Sequence, residues 1–163
     1  MDAIQWFKTR RSVRQYLPDP IDAAVLKDIA ECGRLAATAR NIQPVHIVIV
    51  TNPELKAAIA ETTDHGKFMS NAPVCIVVLG EDTKYYLEDG CAATQNILLA
   101  ATAHGLGSCW TAGDKKPYAD NIRKMVGAPD GFKLVSIVAI GKTAAEPTPA
   151  KRPISEVLHW EKF

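Results

Sequence analysis

The sequence predicts a single α/β or α+β domain built on a central sheet, and three observations carry that expectation. Four short runs, "VHIVIV", "VCIVVLG", "GSCWTAG" and "KLVSIVAIG", read as strands and are separated by stretches of helical spacing. The chain has 163 residues, enough for one domain with a substantial core and short for two. Apolar side chains make up 47% and charged ones 23%, the balance of an ordinary globular protein.

In chain order, residues 3 to 10 form a short helix with Ile4 and Phe7 on one face, and Pro18 and Pro20 then break the chain. Asp22 is placed to cap a helix in which Val25, Leu26, Ile29, Cys32 and Ala36 recur at helical spacing. After the first strand, "PELKAAIAETT" opens with proline, which suits a first helical turn. The longest helix follows the second strand, from Tyr85 to His104, and Gly105 ends it. "PYADNIRKMVG" has both a proline start and a glycine stop. The tail after Gly141 carries three prolines and then the bulky Val157, Leu158, Trp160 and Phe163. So apolar an end is expected to pack on something rather than stay disordered; in a domain already full, that something is a second subunit.

Several function classes fall away. The 19 basic and 18 acidic side chains nearly cancel, which argues against nucleic acid or a membrane surface as partner. The apolar runs are too short to span a bilayer, and the start "MDAIQWFKTR" lacks the pattern of a secretory signal, so a cytoplasmic location is expected. Cys32, Cys75, Cys91 and Cys109 have no C-x-x-C spacing, and the four histidines form no H-x-x-x-H pair. Reduced core thiols and no metal site are the expectation.

"TRRSVRQYLPDP" is the stretch with chemistry in it, because Arg10, Arg11 and Arg14 fall within five positions beside Ser12. From the residues alone this is either a solvated basic turn or an anion site. Planar guanidiniums and a hydroxyl are what a phosphate needs for several charge-assisted hydrogen bonds, and Lys151–Arg152 form a second basic pair. Glycine-based nucleotide motifs are missing. "GLGSCW" follows a helix instead of opening one, and no G-x-x-x-x-G-K-[ST] occurs. A phosphate would be held by side chains.

Five segments in order resemble the nitroreductase family, dimeric oxidoreductases that use flavin mononucleotide (FMN). "RRSVRQY" is similar to its N-terminal flavin motif, "RLAATARNIQPVHIVIV" to its A-P-S-x-x-N-x-Q-P-W segment and "NAPVCIVVLG" to its second strand. "DGCAATQNILLAATAHGLGSCW" is similar to its interface helix and glycine turn, and "AKRPISEVLHWEKF" to its C-terminal signature. The resemblance implies an α+β three-layer sandwich with a central mixed sheet over residues 1–163, the tail 142–163 extending over the partner subunit. It further implies that Arg10, Arg11 and Ser12 hold the flavin phosphate and ribityl chain, with Arg14 near the pyrimidine edge. There a fixed cation would stabilise the negative charge of reduced flavin. Thr38, Ala39, Asn41 and Gln43 would come from the partner, and Gly107 and Ser108 would approach the ring through their backbone. Thr111, Ala112 and Gly113 would offer a backbone N–H, and Lys151 and Arg152 would close on the phosphate.

The implied function is an FMN-dependent oxidoreductase that runs ping-pong chemistry from NAD(P)H to a small electrophilic acceptor (nitroaromatic, quinone or flavin). No protein nucleophile or general acid is required. The sequence departs from the pattern in Ala37, Thr38 and Val45, which stand where proline, serine and tryptophan are usual. Only eight residues separate Gly80 from Asp89, leaving no room for the helical pair that covers the flavin in longer members. An alternative is therefore a protein that stores, delivers or senses FMN without turnover.

Overall fold

The computed structural model describes residues 2–163, and of Ala112 its backbone only. Its helices are α1 (Ala3–Thr9), α2 (Ala23–Arg34), α3 (Pro53–Thr62), α4 (Tyr86–Ala103) and α5 (Ala119–Met125). The strands are β1 (Val45–Val50), β2 (Val74–Glu81), β3 (Gly107–Ala112) and β4 (Phe132–Gly141). No helix among the described residues is long and apolar enough to cross a membrane.

Local chemistry sets the element ends. The Asp22 carboxylate accepts from the Ala24 N–H at 2.7 Å, and the Asn52 side chain accepts from the Leu55 N–H at 2.8 Å with Pro53 in the first turn. Each side chain satisfies an N–H that the helix itself leaves without a partner. Gly105 takes φ 71° where α4 stops, a left-handed conformation that glycine adopts without steric cost.

The strands lie in the order β1-β2-β4-β3, and every neighbouring pair is antiparallel. The expected mixed sheet is thus antiparallel throughout its four strands. Parallel character enters only as one bridge, Ser12 to Ser108, where the arginine-rich segment lies along the free edge of β3. Three successive antiparallel pairings need no parallel crossover among the strands themselves.

Helices cover both faces. Alternate residues of β2 divide between two cores: Cys75, Val77 and Leu79 pack with Ile59, Met69 and Ile122, whereas Val74, Ile76 and Val78 pack with Leu26, Ile29 and Ile97. The central strands are therefore apolar on both sides, which is why their sequences read as continuous runs without alternation. On the α3 side the buried Lys56 donates from Nζ to the carbonyls of Ala72 (2.5 Å) and Pro73 (3.1 Å), tying the entry of β2 to α3.

The seating of α4 is the tightest contact between layers. A register shift between β2 and β4 places Val78 opposite Ser136 and Leu79 opposite Leu134, so Val135 is the extra residue of a bulge. Val135 then packs into the space above Gly90, and the Ser136 hydroxyl meets Thr94 Oγ1 at 2.7 Å. Thr94 in turn donates to the Gly90 carbonyl at 2.7 Å.

The expected apolar face of α1 does not face the chain's own core: Ile4 is 53% and Phe7 61% exposed. In the tail Trp160 is 79% exposed and Phe163 is fully exposed.

A Cβ on Gly90 would lie 2.5 Å from the Val135 side chain, too close for any real contact. Gly90→Ala is therefore expected to destabilise the fold by about 1–3 kcal/mol despite alanine's better helix propensity. Urea denaturation beside an exposed control, Gln95→Ala, checks the sign; a stabilised Gly90→Ala protein would mean the helix can shift freely.

Candidate functional site

The arginine segment is extended, so its side chains alternate. Val13 points inward and is buried, and its N–H donates to the Ser108 carbonyl at 2.9 Å. Arg10, Ser12 and Arg14 share the other face beside Cys109. Burial pushes the Cys109 thiol up, while Arg14, the Ser12 hydroxyl and Arg10 pull it back down. Tyr16 locks the segment in place, donating to the Val13 carbonyl at 2.5 Å, and burial drives its hydroxyl pKa far up. Beyond it the Leu17 N–H donates to the Lys142 carbonyl (2.8 Å), and Thr143 Oγ1 donates to the Gln15 carbonyl (2.8 Å).

Two recesses flank this segment. At one end a groove of about 590 Å³ is bordered by Lys8, Arg10, Arg11, Gly107, Glu146 and Thr148. At the other a pocket of about 170 Å³ is bordered by Arg14, His65, Phe68, Thr111, Lys116 and Tyr118. The exposed Arg14 guanidinium lies 5.9 Å from the centre of the Phe68 ring, within reach of a cation–π contact. The three arginines have no counter-charge among the described residues: Arg34 pairs with Glu31 and Arg123 with Asp120 and Asp130, but no carboxylate pairs with Arg10, Arg11 or Arg14. The Arg11 Nε and Ser108 Oγ atoms are buried without a hydrogen-bond partner. Polar atoms in that state call for a ligand or water.

Within this cluster the structure assigns the residues unequally. Arg11 turns Nη1 back on the carbonyls of Lys8 (2.8 Å) and Arg10 (2.9 Å), closing the end of α1, while Arg10 makes no such bond among the described residues. Gly107 has a packing reason of its own, since a Cβ there would meet Thr143 and Val13 at 2.8 and 2.9 Å. Gly113 likewise leaves room for Leu134. Because the Ser108 carbonyl faces the free edge of β3, alternation turns the backbone groups of Trp110 and Ala112 the same way. The Thr111 N–H is turned inward to Ile137 and is not available to a ligand.

The second predicted cluster lies elsewhere. Thr38, Ala39, Asn41 and Gln43 sit at the first turn of α4, where the Asp89 carboxylate accepts from the Ala39 N–H at 2.9 Å. The arginine groove borders Thr102 at the other end of that helix. Asp89 and Thr102 are thirteen residues apart, about 20 Å along the axis. One chain does not bring the two clusters together. Lys151 and Arg152 are exposed in the tail and form no hydrogen bond or ion pair among the described residues.

The loop at this second cluster is strained. Arg40, Asn41 and Gln43 have φ of 54°, 56° and 58°, left-handed values that non-glycine residues adopt at a cost. Besides Asp89, Thr38 Oγ1 holds the loop by accepting from the Gln43 N–H at 3.1 Å. Asn41 and Gln43 themselves are exposed.

Sequence reasoning left His65 unassigned and did not find Phe68, Lys116 or Tyr118, which line the Arg14 pocket. They come from the segment before β2 and the loop after β3, and no spacing signal links those stretches. Tyr86 ties the start of α4 to the loop after β3 by donating to Asp114 Oδ1 at 2.5 Å.

Comparison with known proteins gives one answer. A family model described as "Putative TM nitroreductase" matches residues 2–163. A protein of Archaeoglobus fulgidus named "Putative NADH dehydrogenase/NAD(P)H nitroreductase" is 31% identical over 86% of this chain and 84% of its own. Among solved structures, an "FMN-dependent Nitroreductase" from Clostridium difficile superimposes with a TM-score of 0.90 at 26% identity, covering 98% of this chain and 99% of that one. A "Putative NADH dehydrogenase/NAD(P)H nitroreductase" from Parabacteroides distasonis does so with a TM-score of 0.93 at 26% identity, covering 99% and 98%.

The strain in the 38–43 loop has a measurable sign. At Arg40, glycine relieves the left-handed conformation and alanine does not, so Arg40→Gly is expected to be more stable than Arg40→Ala by about 1 kcal/mol. In an ordinary helix position that order reverses. Thermal unfolding of the two variants decides it.

Proposed function

The chain belongs to the nitroreductase family, and from that premise we propose that it is an FMN-dependent oxidoreductase, acting as a homodimer between NAD(P)H and a small electrophilic acceptor. The observation that carries the reading is the set of arginines without counter-charge beside β3. Arg10, Arg11 and Arg14 concentrate positive charge in a protein whose net charge is only +1; Lys8 beside them likewise has no carboxylate partner among the described residues, whereas Lys116 and Lys142 nearby are paired. Such a cluster suits a phosphate monoester.

FMN bound here would supply the redox chemistry between NAD(P)H and a nitroaromatic, quinone or second flavin, on our reading as a ping-pong exchange. The residues bind and orient. Arg10 and Ser12 hold the phosphate and ribityl chain from the outward face of the segment, and Arg11 adds its unspent donors. Arg14, within cation–π reach of Phe68, faces the pyrimidine edge of the ring as a positive charge. Along the β3 edge, beyond the stretch that Ser12 and Val13 cover at Ser108, Trp110 and Ala112 present backbone groups, with Gly107 and Gly113 letting the neighbouring layers close up behind them. No side chain need act as general acid or nucleophile.

The separation of the two clusters supports a dimer. A twofold pairing with α4 helices antiparallel lays the 38–43 loop of one copy beside the arginine segment of the other. Thr38, Ala39, Asn41 and Gln43 then complete the site in trans. The exposed Ile4, Phe7, Leu35, Ile42, Ile154, Leu158 and Trp160 support an apolar surface meant for a second copy. Lys151 and Arg152 reach a phosphate from a tail laid over the partner.

The first test is the cofactor. The purified protein is expected to be yellow and to release FMN, not FAD, on heating, as identified by chromatography of the supernatant. It is also expected to oxidise NADH or NADPH in the presence of a quinone or nitroaromatic. A colourless protein that does not take up added FMN overturns the reading, and FMN binding without turnover points to flavin storage instead.

The second is the tail. Ending the chain at Gly141 would also remove the Lys142 and Thr143 bonds that hold Gln15 and Leu17, so the informative truncation ends at Thr148. Burying Leu158, Trp160 and Phe163 on a partner contributes about 1.5–3 kcal/mol each before ordering costs. The shortened protein is expected to keep its secondary structure, to dissociate on dilution and to bind FMN more weakly. Sedimentation over a dilution series checks this; an unchanged dimer removes the tail from the interface.

A further inference from the structure

We infer that Asp89 is a positioning residue for the flavin site of the other subunit: it holds the strained 38–43 loop in the shape that presents Asn41 and Gln43 to a second copy. The inference rests on the dimeric FMN reading above and goes beyond it by naming what keeps the trans-acting loop competent.

Asp89 is only 6% exposed. A buried carboxylate carries a desolvation cost that an apolar residue at the same helix position would not, so its retention needs a partner. That partner is not on its own helix. Asp22 and Asn52 are exposed and cap the helices they precede, whereas Asp89 reaches the Ala39 N–H, fifty residues earlier in the chain, at 2.9 Å. The bond falls at the start of a loop that departs from ordinary backbone at Arg40, Asn41 and Gln43. Strained conformations persist only where the surroundings over-determine them. The far end is held by Pro44, which is buried and whose carbonyl accepts from the Glu81 N–H at 2.9 Å.

The anchor is itself rigid. Asp89 lies in the first turn of α4, a place where the helix dipole favours a carboxylate. Tyr86 in the same turn is fastened to Asp114 at 2.5 Å, and Gly90 in the next position lies tight on Val135. Between these two fixed ends the loop turns Asn41, Ile42 and Gln43 outward, where they are exposed. The geometry is that of a part prepared for another molecule.

The test is complementation between subunits, read by FMN binding. Asp89→Ala removes the acceptor and is expected to weaken FMN binding by about tenfold or more, while Asp89→Asn keeps a carbonyl oxygen there and stays within about threefold of the parent. Arg10→Ala weakens binding from the other half of the site. A heterodimer of an Asp89→Ala chain with an Arg10→Ala chain, isolated through two different tags, contains one doubly defective site and one intact site. It is expected to bind one FMN per dimer with the parent's affinity, although neither homodimer does. A merely structural loss of stability in Asp89→Ala cannot produce that rescue. A dimeric Asp89→Ala protein that binds FMN like the parent, or a heterodimer with no restored site, overturns the inference and leaves the dimer standing. A parent chain that sediments as a monomer and still binds FMN overturns the dimeric reading on which it rests.

Discussion

The close approach of α4 to β4 is the contact on which the rest of the molecule depends. The bulge at Val135 turns that residue and Ser136 to the same side of the sheet, and Gly90 leaves the space that Val135 fills. Thr94 then bridges Ser136 and the Gly90 carbonyl. With α4 seated this low, its first turn reaches the 38–43 loop and its last turn borders the arginine groove. Both relations depend on where the packed layers seat the helix.

Electrostatics in this protein is local. A near-neutral total covers some cations that are matched, such as Lys116 with Asp64 and Arg123 with two aspartates, and others with no ion pair among the described residues. Three of the unmatched cations, Arg10, Arg11 and Arg14, cluster beside the free edge of β3. An edge strand offers unpaired backbone groups, and here the start of that edge is covered by Ser12 and Val13 while the rest stays open beside Arg14. Backbone donors and fixed positive charge thus meet in one place, a combination suited to an anionic, flat, hydrogen-bonding cofactor.

Much of the fold was legible in the sequence because its signals are local. Proline starts, glycine stops and the Asp22 cap act within a turn of where they stand, and the elements appear within a few residues of expectation. Helix α2 stops at Arg34 instead of running to Ala36, and α5 begins at Ala119, two residues after the proline. What the sequence left open has a different cause. The two sides of the segment 10–14 were not distinguished, because only pairing with Ser108 decides which residues face the groove and which face the core. Gly107, expected to approach a ring through its backbone, also has a packing reason the sequence did not show, since Val13 and Thr143 occupy the space its missing side chain leaves.

The amino-acid sequence alone determined the class of fold, the family resemblance and the identity of the charged cluster, since each rests on residue type and short-range order. The tertiary structure decided the rest: that the sheet is antiparallel, that Arg11 partly serves α1, that Phe68 and Tyr118 line the Arg14 pocket, and that the two predicted clusters lie at opposite ends of α4. Those facts depend on contacts between residues far apart in the chain, such as Asp89 with Ala39 and Ser12 with Ser108. Spacing along a sequence carries no record of such distances until the layers pack.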